Sequence, residues 1–262
     1  MNTKETGRLL VIGGNKGYRS SNKVYQVDEC MNTLKLHSRL KIGRVGHAAV
    51  YINNKDIYVI GGYNANTNKW LSSMEVCYDA FNGDENHKWD QEGIAEMNEP
   101  RYQFGCCTWN NEHIFVFGGM NDRFMESNLS EGQSKCLNSI ERYSVECNRW
   151  DLIELKTYQK FPFLSHLVAV HLPWDKDRIL IVGGQTYNKK TEKFENLGVV
   201  FKFDPIDEKL KACQNLALQD RFLMGMGISD GAEQVATLGE KTIHMFDGKR
   251  WKTVSREDGT LL

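Results

Sequence analysis

Proline is scarce in this chain, four among 262 residues, and no proline-rich or low-complexity stretch divides it into separate domains. No apolar run approaches the ~20 residues that span a bilayer as a helix, so a helical membrane anchor is not expected. Charge of one sign is lacking too: the formal net charge is −1, which gives no global drive toward nucleic acid or an anionic lipid surface. There is no Cys-x-x-Cys pair among the seven cysteines, at 30, 77, 106, 107, 136, 147 and 213. An odd, scattered set argues against a disulfide framework or a zinc ribbon and for reduced thiols. Residues 1–7 lack the apolar core of a secretory signal, and with the reduced thiols this gives a cytoplasmic expectation. A phosphate loop, a nucleophile elbow and an amphipathic helix are likewise missing, which removes the commonest sequence grounds for an enzyme.

What the chain has instead is repetition. An apolar strand ending in two glycines occurs at Leu9–Gly14, Ile57–Gly62, Ile114–Gly119 and Ile179–Gly184, with a worn copy at Gln234–Gly239. The intervals, roughly fifty to sixty residues, mark an array of like units rather than one mixed core. Each unit reads as four short strands, A to D, broken by Gly, Asn and Asp. The units run over about 8–41, 44–97, 101–156, 163–214 and 221–255, within one domain spanning 1–262. Unit one has no strand A of its own. Residues 256–262, beginning Arg256-Glu257-Asp258, resemble the starts of other A strands and are expected to complete the first unit and close the ring.

The paired glycines (Gly13, Gly14, Gly61, Gly62, Gly118, Gly119, Gly183, Gly184), the strand-C tyrosines Tyr78 and Tyr143, and the strand-D tryptophans Trp89, Trp150 and Trp251 together resemble the kelch repeat. The resemblance covers essentially the whole chain. It implies an all-β propeller of about five four-stranded antiparallel blades. In it the glycines permit tight backbone turns and the aromatic residues fill the space between blades. Units one and four lack the strand-D Trp, and unit five has lost one glycine.

In such a blade the start of A, the end of B and the start of C share one edge. Arg44, Arg101 and Arg221 precede three A strands, and Arg256 precedes the expected closing strand. Asn15, Tyr63, Met120 with Asn121, and Gln185 follow the glycine pairs. By resemblance to kelch substrate receptors of ubiquitin ligases, these positions are expected to contact an acidic or polar segment of a partner protein, an arginine fork suiting a carboxylate. In unit four Phe161-Pro162-Phe163 is aligned with the arginine position. The loops between B and C carry Lys16, Arg19, Lys23, Lys69, Arg123, Lys135, Lys189, Lys190 and Lys193 against fewer acids, so this edge is expected to be more basic than the rest. No cofactor is expected. The alternatives within the resemblance are an actin-linked cytoskeletal adaptor and an enzyme with a metal or sugar site in the channel. For a metal site, His47 and His166 are aligned at matching points of two A strands. Cys106-Cys107 reads as small apolar packing on an inner strand.

Overall fold

The computed structural model describes residues 9–28, 32–81, 88–122, 128, 134–172, 174–213 and 215, and the backbone of four strands beyond them. The described elements are β-strands in antiparallel sheets.

Unit one contains β1 (Leu10–Ile12), a small hairpin of β2 (Asn15–Lys16) and β3 (Arg19–Ser20), then β4 (Lys23–Asp28) and β5 (Thr33–Arg39). Unit two contains β6 (Ala48–Ile52), β7 (Asp56–Ile60), the hairpin β8 (Tyr63–Asn64) and β9 (Lys69–Trp70), and β10 (Met74–Cys77). Its strand D is reduced to one bridge, Val76 with Asp90. Unit three is β11 (Gly105–Trp109), β12 (His113–Phe117), β13 (Ile140–Ser144) and β14 (Arg149–Leu152). Unit four is β15 (Val168–Leu172), β16 (Arg178–Val182), the hairpin β17 (Gln185–Asn188) and β18 (Lys193–Asn196), β19 (Val200–Asp204) and β20 (Lys209–Ala212). Unit five is β21 (Phe222–Ile228), β22 (Val235–Gly239), β23 (Thr242–Phe246) and β24 (Trp251–Ser255).

The blade sheets are ordered β1-β4-β5, β6-β7-β10, β11-β12-β13-β14, β15-β16-β19-β20 and β21-β22-β23-β24. The inner strands β6, β11, β15 and β21 neighbour one another in sequence order, as the blades of a propeller do. Residues 256–262 and the side chain of Trp251 lie outside the described residues.

Apolar side chains fill the seams between blades. Val24 and Leu40 of unit one meet Ile57, Val59, Cys77 and Trp89 of unit two. Ile60, Met74 and Val76 of unit two meet Ile114, Val116, Tyr143 and Trp150 of unit three. Phe115 and Phe117 of unit three meet Ile179, Ile181 and Phe203 of unit four. The indole N–H of Trp89 reaches Ser38 Oγ at 3.0 Å, and that of Trp150 reaches the Ala95 carbonyl at 3.2 Å. Each thus satisfies its one polar atom on the preceding unit while burying its rings.

In unit two the alignment made from sequence shifts by one residue. Tyr143 pairs with Ile114 and with Trp150, whereas the residue opposite Ile57 in unit two is Cys77. Cys77 is therefore the counterpart of Tyr143 and is buried, while Tyr78 points outward with 52% exposure. The expectation that Tyr78 fills an inter-blade seam is corrected. In unit four, Phe203 and Leu210 occupy the places of Tyr143 and Trp150, so the missing tryptophan is replaced by a buried leucine.

Candidate functional site

The double glycines set the geometry of one edge. Gly61 and Gly62 have φ of 59° and 95°, and Gly118 and Gly119 have 57° and 102°, the left-handed region that glycine enters without a Cβ penalty. A Cβ on Gly118 would stand 2.3 Å from the Leu164 carbonyl oxygen. That crowding arises because in the first three pairs the second glycine donates its N–H to the carbonyl of the residue that opens the next unit: Gly14 to Arg44 at 2.8 Å, Gly62 to Arg101 at 2.8 Å, Gly119 to Leu164 at 2.7 Å. The residue after the pair bridges instead within its own unit, to the residue after that unit's opener, as Tyr63 with Val45, Met120 with Tyr102, and Gln185 with Ser165. Starts of A and ends of B thus lie on one edge, the mouth, as expected from the blade plan.

The arginines do not face that mouth. Arg44 and Arg101 are 0% exposed, which corrects their assignment as partner contacts. Arg44 donates to Glu75 Oε1 from Nη2 at 3.0 Å and to the carbonyls of Gly61 and Ser73 at 2.9 and 2.8 Å. Glu75 also accepts from the backbone N–H groups of Lys41 and Ile42 at 2.6 and 3.0 Å. Unit three repeats the arrangement. Arg101 reaches Glu141 at 2.5 Å and the Gly118 carbonyl at 2.7 Å, and Glu141 accepts from the N–H groups of Asn98 and Glu99. Each arginine binds strand C of its own blade through its side chain and the preceding blade through its carbonyl. It is a structural clamp whose charge is neutralised within the fold.

Unit four dispenses with the charges. Leu164 accepts the bond from Gly119 and so holds the arginine position; Phe161 to Phe163 lie just before it. Phe201 pairs with Ile181 as Glu75 pairs with Val59 and Glu141 with Val116. The ion pair is replaced by Leu164 and Phe201, at 0% and 6% exposure, within one apolar cluster that also holds Phe161.

The other expected contacts divide. Asn15 is exposed, Tyr63 and Gln185 are half-buried, and Asn121 is buried at 4% exposure, so Asn121 is withdrawn from the contact set. The side chains of Arg221 and Arg256 lie outside the described residues. His166 matches Gln103 and Gly46 rather than His47: the three share positive φ, and their backbones are chained, His166 N–H to the Gln103 carbonyl at 2.7 Å and Gln103 N–H to the Gly46 carbonyl at 2.8 Å. His47 is the counterpart of Phe104 and Leu167 and packs against Gly13 of the first unit. Burial and the nearby Arg44 charge push its imidazole down to about 4. The proposed pairing of His47 with His166 at one level of the channel is thereby corrected. Burial pushes the Cys106 thiol up to about 12 and raises Cys107 as well, leaving both protonated and poor nucleophiles.

Among the described residues, two concavities lie on the mouth. One, about 880 Å³, is lined by Asn15, Lys16, Tyr18, Arg19 and Lys23 with Asn66 from the second unit. The hairpin β2–β3 lifts Lys16 and Arg19 into solvent. It is tied to β8–β9 by Ser20 Oγ donating to the Tyr63 carbonyl at 3.1 Å and by Asn66 Nδ2 donating to the Ser20 carbonyl at 2.9 Å. The second, about 420 Å³, is aromatic: Tyr63, Trp70, Tyr102, Met120 and Phe194, with Gln103 and His166 as its polar members. Sequence reasoning placed Tyr63 and Met120 on this edge and named His166 only as a metal candidate; it did not bring Trp70, Tyr102 and Phe194 together with them. The available signal was the set of large side chains placed where other units carry Asn15, Val45 or Gln185.

The comparisons with known proteins agree with this geometry. A model of the KLHDC2/KLHL20/DRC7 Kelch-repeats domain matches residues 2–217. An F-box/kelch-repeat protein of Arabidopsis thaliana is 32% identical over 148 residues, covering 55% of this chain and 34% of its own. Kelch-like protein 23 of Homo sapiens is 30% identical over 148 residues, covering 55% of this chain and 22% of its own. The matches thus cover 34% and 22% of the two relatives' own lengths. With its phased double glycines, antiparallel blades and matching family model, the chain belongs to the kelch-repeat family.

Proposed function

We propose that the chain is a non-catalytic protein-interaction module whose mouth holds an acidic or polar segment of a partner, in the role of a substrate-recognition part of a ubiquitin ligase. The observation that carries this reading is the exposed basic hairpin β2–β3 beside an open cleft on the edge where the repeat gathers its loops. Stiff blades hold such loops with little entropy left to lose on binding. Lys16 and Arg19 are exposed there, and charges of this kind steer an acidic partner to the site. The buried arginines contribute indirectly, by fixing the backbone that carries Tyr63, Tyr102 and Met120.

Affinity capture from native cells, followed by mass spectrometry, tests this with the double charge reversal Lys16→Glu/Arg19→Glu. Both side chains are exposed, so the variant should fold normally. Loss of the captured partners is the expected result. Full retention of every partner would contradict the assignment of the mouth.

A further inference from the structure

The aromatic pocket is not a by-product of blade packing. The positions that build it are fixed by the repeat: the residue after the glycine pair (Tyr63, Met120), the residue after the clamp arginine (Tyr102), and the hairpin strands (Trp70, Phe194). Unit four fills the first two places with Gln185 and Ser165, and unit two carries Val45 opposite Tyr63, with the same backbone bonds kept in both, so the scaffold does not require rings there. Gly46 makes room for one of them: a Cβ at that position would stand 2.2 Å from the Tyr102 ring.

Three of the rings pack on one another as one continuous wall. Tyr63 and Trp70 have centroids 5.0 Å apart at 47°, and Trp70 and Tyr102 are 5.8 Å apart at 85°. A flat aromatic group laid on this wall from the open side can stack on one ring while meeting its neighbour edge-on, both favourable arrangements. The volume suits one such side chain with water displaced. The surroundings select against a cationic guest. No carboxylate lines the pocket. The basic hairpin β2–β3 adjoins it on one side, and Lys135 stands 4.7 Å over the ring of Tyr187, beside Phe194, on the other. Positive charge flanking an apolar slot matches a guest that is itself apolar and carried on an acidic chain.

We infer that the pocket takes an aromatic side chain of the bound segment, so that the recognised element is an aromatic residue flanked by Asp or Glu. This rests on the mouth being the partner-binding face. The slot would provide the buried anchor and the basic hairpin the charge complement, as interfaces concentrate affinity in a few aromatic contacts.

A random peptide library displayed on phage and selected on the full chain tests it, with the enriched sequences remade as synthetic peptides for affinity measurement. The expected sequences pair an aromatic residue with nearby acids. Replacing that aromatic with alanine should weaken binding to the wild type by roughly tenfold or more. On Trp70→Ala the same replacement should have little further effect, since the two changes remove one contact. Phe194→Ala, on a different unit, should reproduce the loss, which guards against a local folding defect in the first variant; thermal melts of both check this. Acidic peptides with no aromatic preference, bound equally by wild type and Trp70→Ala but lost with Lys16→Glu/Arg19→Glu, would overturn the pocket and leave the basic mouth standing. Peptides indifferent to all these variants, or no enrichment at all, would overturn both.

Discussion

At the scale of single residues, the clamp is the feature that sequence position alone misplaced. An arginine before an inner strand reads the same whether it points to solvent or into the blade. Its partner lies 31 residues on for Arg44 and 40 for Arg101. The legible signal was the lone acid in each apolar strand C, Glu75 and Glu141, and its joint absence with the arginine in unit four, where Leu164 and Phe201 stand. That natural replacement makes a prediction. Arg44→Ala strands Glu75 without its counter-charge and should cost about 3–5 kcal/mol, the usual penalty for breaking a buried pair. The double variant Arg44→Leu/Glu75→Phe copies unit four and should recover much of that loss in a denaturant melt. Equal destabilisation by the two variants would show that the unit-four solution does not transfer.

His47 makes a second prediction at this scale. Its folded value of about 4 lies below the ordinary 6.5. Below pH 6.5 the unfolded chain takes up a proton that the folded chain refuses, so stability should fall as pH drops from 6.5 toward 4. His113 and His171 are also lowered by burial and add to the slope. His47→Phe, which restores the residue that unit three carries as Phe104, should flatten the dependence in part. An unchanged slope in melts across that range would contradict the assignment.

At the scale of elements, the strand pattern was legible because each B strand is a run of apolar residues closed by glycine, and the backbone accepts little else there. Gly61 sits at φ of 59°, and a Cβ on it would stand 2.8 Å from the Arg101 carbonyl oxygen. Gly61→Val is therefore expected to lower the melting temperature well beyond the effect of an exposed change such as Lys16→Glu; similar melts for the two would contradict the tight turn. The hairpins β2–β3, β8–β9 and β17–β18 were not legible. Their strands are two to four residues long, too short for an alternating pattern to register, and their polar residues read as loop. Register slipped for a related reason: in unit two, Cys77 and Tyr78 are adjacent and both acceptable in a strand, and only pairing with Ile57 decides which of them faces inward.

At the scale of the whole molecule, the repeat divides labour between two edges. One edge is made of tight turns such as Asn110 to Glu112, with Trp109 pairing to His113. The other collects the glycine pairs, the hairpins, the basic cleft and the aromatic slot. The separation was foreseeable from the strand plan, since A, B and C must alternate direction. The slot was not, since it is assembled from three units whose loops are far apart in sequence. A photo-crosslinking side chain placed at Tyr18, which is 99% exposed on the mouth, and another placed at the exposed Glu112 on the opposite edge, would test this division in cells. The account predicts partner adducts from position 18 and few or none from position 112. Adducts confined to position 112 would contradict it.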